Sequence, residues 1–425
     1  MKFTFTCIIT FLATVTFSQS EIKTFVASNT IPIQSISPDS LDFSDFESIG
    51  NSIGNARIVM LGEQDHGDAP TFLAKTRLIQ YLHEKKGFNV IAFESDFFSA
   101  TYGFENITKT KQDFLKFYKA NIVPYWTFCD ASIPLFTKVI PESFATHNPF
   151  IIAGFDNQMF YKYSTSHLSQ YIDSLTREYK LDILNNETLF KRILTSIMKL
   201  SNPMLCIAES KSFYDNSIND LTTLKQEFKT KKGNENIGCV LIDNLIAFTQ
   251  QLLKKNNFTT MVNIRDIQMA ETLKWLYKVK FPNEKIIIWA ANYHISKNMG
   301  HFKKKSLNDN ISMATELVKD KAFDTVTYSL GFTSYVGEAG RIGTKTFTVD
   351  NPDKNGLETW IDNSAEYAFI DFEKFNSLNP QFTTEFEMKS CVSDNNVHKS
   401  YPAQWNKIFD GIFFIRHMYP CKIKN

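Results

Sequence analysis

Several enzyme classes leave signatures that this chain lacks. It has no Gly-x-Ser-x-Gly elbow, so a serine hydrolase route is without its usual marker. Neither Gly-x-x-x-x-Gly-Lys-Ser/Thr nor Gly-x-Gly-x-x-Gly occurs, which argues against nucleotide use. No two of the 6 cysteines form Cys-x-x-Cys, and no His-Glu-x-x-His is present, so a structural zinc site, a redox pair and a zincin helix all lose their motifs. An excess of one charge is missing as well. Lys+Arg 46 against Asp+Glu 45 leaves a formal net charge of +1, which offers no electrostatic case for nucleic acid or anionic membrane as partner. The basic runs Lys229–Lys232 and Lys303–Lys305 are short and read as solvated surface.

Apolar matter is plentiful. The 425 residues are 43% hydrophobic and 14% aromatic, with 39 Phe, enough for a large core. Met1–Ser18 has the layout of a secretory signal: Lys2, then a run of roughly fifteen mostly apolar residues, too short to span a bilayer comfortably. The expectation is a mature chain, 19–425, that is secreted or periplasmic and has no stable membrane insertion. Cys129, Cys206, Cys239, Cys391 and Cys421 then remain, and an odd count leaves at least one thiol unpaired. A Cys391–Cys421 bridge tying down the C-terminus is one pairing open in an oxidising compartment.

Four apolar runs each end in a chemically active residue. They are Ile58–Gly67 (Ile-Val-Met-Leu-Gly-Glu-Gln-Asp-His-Gly), Asn89–Ser95, Phe150–Asp156 and Ile286–His294. Short continuous apolar runs suit strands buried on both faces of a parallel sheet, and α/β proteins bind ligands at the carboxyl ends of such strands. A helix over Thr71–Lys86 between the first two, stopped at Gly87, completes a β-α-β unit. From 165 to 235 hydrophobes recur at helical spacing (Leu168, Tyr171, Ile172, Leu175), which predicts a helical insertion, with Asn216–Asn236 partly an exposed connection. Helices over Val240–Leu253 and Arg265–Lys278 follow, and strands over Thr325–Leu330, Ala368–Phe372 and Gly411–Ile415 close the series. The fold class is α/β: a mostly parallel central sheet flanked by helices, with a helical insertion.

On that topology Glu63, His66, Glu94, Asp156 and His294 share one rim, which packing alone does not require. A histidine can take a proton from water, and a neighbouring carboxylate fixes its tautomer. Glu94 comes within reach if its strand pairs with that of Glu63. Arg265 is placed to hold a carboxylate across the cleft, Glu94 or Asp156. Trp126, Trp289 and Tyr293 lie close in chain order to the proposed site elements; one or two of them would line an apolar substrate pocket, with core packing the better reading for Trp289. Asp65 and Asp68 flank His66 and are candidates to tune it.

The order of these motifs resembles the erythromycin esterase-like hydrolases from about Arg57 to Pro420. The segments that carry it are Gly62-Glu-Gln-Asp-His-Gly67, Lys75-Thr-Arg77, Gly87–Glu94, Gly154–Gln158, Asn263–Ala270, Trp289–His294 and Gly331–Ser334. The resemblance implies that His66 is the general base activating water for attack on an ester or lactone carbonyl, with Glu63 and Glu94 as its acidic partners. Lys75 stands where the family has a basic residue suited to an oxyanion. His294 matches the second histidine of the late motif, and Ala291 replaces the first. That replacement withdraws support for macrolide lactones in particular; antibiotics, polysaccharide esters and peptides all stay open as substrates.

The expected protein is therefore a hydrolase of a small-molecule ester or lactone, with catalytic residues His66, Glu63, Glu94, Lys75 and His294. Asp156, Arg265, Trp126 and Tyr293 are its substrate-binding residues, and it needs no cofactor. One alternative is a divalent-metal hydrolase or peptidase using the same histidines and carboxylates as ligands. The other is a catalytically altered ligand-binding protein.

Overall fold

The computed structural model of the chain describes residues 20–392 and 398–423. The expected signal segment lies outside them. A sheet of 9 strands runs through the molecule in the order β1-β8-β11-β6-β2-β5-β3-β4, with β7 beside β6. In chain order the strands are β1 Ile31–Ile33, β2 Ile58–Leu61, β3 Val90–Asp96, β4 Ile151–Asp156, β5 Ile286–Trp289, β6 Thr327–Ala339, β7 Phe347–Val349, β8 Tyr367–Asp371 and β11 Gly411–Met418. Strands β9 Phe386–Val392 and β10 His398–Ala403 form a separate hairpin. All pairings from β11 to β4 are parallel, and β8, β1 and β7 add antiparallel edges.

Alternation within the strands explains the layering. Ile58 and Met60, Val90 and Ala92, and Ile286 and Ile288 enter one buried cluster, whereas Val59 and Leu61, Ile91 and Phe93, and Ile287 and Trp289 enter the other. Successive side chains point to opposite faces, so each short apolar strand feeds two cores. Each fully buried aliphatic side chain there contributes about 1.5–3 kcal/mol of transfer free energy. Helices Ala69–Lys86 and Lys111–Asn121 cover one face. Helices Lys162–Glu178, Glu187–Leu200, Lys211–Lys232, Ile237–Leu253 and Phe258–Trp275 build the other. Among the described residues no helix is long and apolar enough to cross a membrane.

Three expectations need correction. β2 and β3 do not pair, because β5 lies between them. Their ends therefore stand two strand spacings, about 10 Å, apart. Asn216–Asn236 is mostly helix rather than connection, since Tyr214, Ser217, Leu221, Leu224 and Phe228 form a buried stripe that overrides the weak helix preference of asparagine. Arg265 does not open its helix; Asn257 caps it at Phe258, two turns earlier.

Candidate active site

The carboxyl ends of β2, β5, β3 and β4 lie side by side; the chain runs outward from β2 to β3 and β4, then returns through β5 and crosses β2 to reach β6. Such a switch point opens a crevice. A cleft of about 140 Å³ occupies it, lined by His66, Glu94, Tyr125, Trp126, Asp156, Tyr161 and Arg265 among others.

One wall grows from the loop after β2. Glu63 is fully buried and accepts from three donors. His66 Nδ1 lies 2.6 Å from its Oε1, Trp126 Nε1 donates to the same oxygen at 3.0 Å, and Lys75 Nζ donates to Oε2 at 2.7 Å. An ionised carboxylate only accepts, so Nδ1 carries a hydrogen and, in the neutral ring, Nε2 is the nitrogen that holds the lone pair. Nε2 has no protein partner among the described residues, and the ring is stacked with Tyr125 at 5.8 Å between centroids. Lys75 was expected at an oxyanion. Its ammonium is instead wholly buried behind Glu63, 4.0 Å from the centre of the Trp289 ring. Burial lowers its pKa to about 8 against the pull of Glu63.

The opposite wall is an ionic network. Arg265 Nη2 donates to Asp156 Oδ2 at 2.6 Å and to Glu94 Oε1 at 2.8 Å. His294 lies between two carboxylates, Nδ1 2.7 Å from Asp266 Oδ1 and Nε2 3.0 Å from Glu94 Oε1. Burial works against its charge, but Asp266 and Glu94 outweigh burial and raise its pKa to about 10. Burial likewise pushes Glu94 up, and His294 and Arg265 outweigh it, holding that carboxyl well below the usual range. Glu94 therefore faces Arg265 and His294 and makes no bond to His66, as the intervening β5 dictates. Ala291 contributes only its backbone N–H, which donates to Glu94 Oε2 at 3.1 Å.

The remaining candidates divide. Trp126, Asp156 and Arg265 line the cleft, whereas Tyr293 lies edge-on to His294 at 5.2 Å and packs against the core. Asp65 turns to Arg341 Nε at 2.5 Å, and Asp68 accepts from Asp65 N at 2.9 Å, so neither side chain bonds the His66 ring. Sequence reasoning missed Asp266, Tyr125 and Tyr161. Asp266 and Tyr125 had a signal, their places beside Arg265 and Trp126; Tyr161 had none.

The ionic wall makes a pH prediction. The folded-state pKa of His294 lies above its ordinary value of 6.5, so its contribution to stability is complete below pH 6.5 and is lost as pH rises through about 10. His294→Asn should remove that dependence. Urea melts between pH 6.5 and 10 would show wild type losing stability with a steeper slope than the variant; equal slopes would refute the assignment.

A divalent metal does not fit this centre. Both oxygens of Glu63 and of Glu94 are taken by protein donors, and both nitrogens of His294 face carboxylates. A cation would have to displace the positive charges of Lys75, Arg265 and His294. Among the described residues, the grouping close enough to hold a metal is Cys129, Asp130 and Cys421, and its two sulfurs form a disulfide. That bridge also corrects the expected Cys391–Cys421 pairing.

A mostly parallel sheet with a histidine–carboxylate pair in a cleft at its carboxyl edge makes an α/β protein with a site equipped for acid–base chemistry. The chain belongs to the erythromycin esterase family, whose model matches residues 83–418. The match takes in Glu94, Asp156, Arg265 and His294 and begins after the loop that carries His66. The chain is 24% identical over 395 residues to "Putative hydrolase YbfO" of Bacillus subtilis (strain 168), covering 86% of this chain and 85% of that protein. Its fold is similar to a solved protein from Bacillus cereus (TM-score 0.74, 18% identity, 96% of this chain and 99% of that one). It is also similar to a mutant of erythromycin esterase EreC in its open conformation (TM-score 0.69, 17% identity, 91% and 97%).

Proposed function

We propose that the chain hydrolyses a carboxylic ester or lactone by attack of water activated at His66, in a compartment outside the cytoplasm. The observation that carries this reading is the Glu63–His66 pair at the cleft, because it fixes the tautomer and leaves Nε2 as a base. Water gives a proton to Nε2 as its oxygen adds to the carbonyl carbon. The carbon–oxygen bond to the leaving group then breaks, and the His66 imidazolium returns the proton to the departing alkoxide. The same residue thus replaces an acid that Ala291 cannot supply. Arg265, which lines the cleft, takes the oxyanion role first expected of Lys75. Export is supported by the Cys129–Cys421 disulfide, which suits an oxidising compartment.

A panel of small esters and lactones, followed at high enzyme concentration, tests the route. Turnover without a burst of the first product, and unchanged by chelator, is expected. A stoichiometric burst would replace water attack by a covalent acyl-enzyme. Chelator-sensitive turnover would favour the metal hydrolase, and a folded chain inert across the panel would favour the ligand-binding protein.

A further inference from the structure

Two segments of the His66 wall are fastened together by a strap at the end of the chain. β11 ends at Met418, on the far side of β6 from the catalytic strands. The residues that follow cross the sheet's carboxyl edge. Ala69 N–H donates to Tyr419 O at 3.1 Å, and Cys421 N–H donates to Gly67 O at 2.8 Å, so the strap first grips the loop carrying His66. It then reaches the segment after Trp126. Asp130 N–H donates to Lys422 O at 3.0 Å, Lys422 N–H donates to Asp130 Oδ1 at 3.0 Å, and Cys421 is bonded to Cys129. Cys129 lies three residues from Trp126, which donates to Glu63, and four from Tyr125, which stacks on His66.

We infer that the Cys129–Cys421 disulfide is a positioning device for the active centre: it locks the Tyr125–Trp126 segment against the His66–Glu63 pair, and reducing it lowers turnover. The inference rests on the hydrolase reading above. Two considerations favour a catalytic consequence over a merely stabilising one. Tyr125 and Trp126 touch the catalytic pair directly, and their short helix, Pro124–Thr127, has too few turns to hold itself in place. The backbone bonds of the strap are few, so the covalent link holds its outer half. A misplacement of about 1 Å near a reacting group can cost up to ~100-fold in rate.

A dithiol supplies two electrons and two protons. The S–S bond breaks, Cys129 and Cys421 become thiols, and the reagent closes to its own disulfide. Among the described residues Cys206 and Cys239 are free and buried, so they do not compete. A Cys391→Ser background removes the remaining thiol of 19–425 from all the forms compared. The experiment compares the oxidised chain, the dithiothreitol-reduced chain and Cys129→Ser/Cys421→Ser, all well below their melting temperatures. Amide exchange over 124–132 and the NMR shifts of the His66 ring report without substrate; kcat and KM on an ester report with it. Faster exchange at 124–132, moved His66 shifts and a kcat roughly 10-fold lower at similar KM are expected in both cleaved forms. Reoxidation of the reduced chain should restore all three, which unfolding or aggregation would not. Unchanged His66 shifts, or an unchanged kcat, would overturn the inference. A chain that never turns over ester but shows the exchange and His66 changes would fail the hydrolase reading while keeping the positional link.

Discussion

His66→Ala is expected to lower kcat by roughly 10²- to 10⁴-fold, the range that a positioned general base supplies, with a far smaller change in KM. The fold should survive. The ring is partly exposed, and Glu63 keeps Lys75 at 2.7 Å and Trp126 at 3.0 Å after it is gone. Folding and catalysis therefore separate at this position, as they would not at Lys75, whose removal leaves Glu63 buried without a cation. Added imidazole should restore part of the rate, since the cavity left behind opens to the cleft. Circular dichroism and thermal melts would establish the fold, and rates on an ester with and without imidazole would establish the role. A variant that hydrolyses ester within about 3-fold of wild type would remove His66 as the base, well outside the range expected of one.

How much of this centre could be read from the sequence follows from its physics. Parallel strands buried on both faces become apolar runs, so β2, β3, β4 and β5 were visible, and so was the position of Glu63, Glu94, Asp156 and His294 at their carboxyl ends. What stayed hidden was lateral order. Nothing in Ile58–Leu61 or Val90–Phe93 says that β5, some two hundred residues along the chain, will be inserted between them. That one fact separates Glu94 from His66 and gives it to Arg265 and His294. Asp266 escaped notice for a related reason. Its neighbour in sequence points to Asp156, while its own carboxylate bonds His294 on an element 28 residues away. The hairpin of β9 and β10 joins two short segments of mixed polarity, and the strap after β11 is held by long-range pairings to Asp68 and Cys129, so neither carries a periodicity strong enough to read.

Removal of Arg265 should be the most damaging change to stability in the site. Its guanidinium donates to Asp156 and Glu94 together, and the surrounding group contains three buried carboxylates, Glu94, Asp156 and Asp266, against two cations, Arg265 and His294. Arg265→Met leaves one cation for the three. Breaking a buried pair by removing one partner costs about 3–5 kcal/mol, a large share of the 5–15 kcal/mol that typically holds a domain together. The sign of the pH response follows. Loss of the guanidinium favours the neutral form of the carboxyls it leaves buried, so the variant takes up a proton on folding and regains stability as pH falls. Its deficit relative to wild type should be larger in urea melts at pH 8 than at pH 5. Asp156→Asn added to Arg265→Met should recover part of the loss, because it removes the orphaned charge. Catalysis should not recover with it, since the cleft's cationic donor is still absent. A deficit independent of pH, or a double variant no more stable than Arg265→Met alone, would mean that shape rather than charge is what Arg265 contributes. Arg265→Lys distinguishes the two further: it restores the charge but not the fork that reaches both carboxylates, and should recover stability in part and turnover poorly.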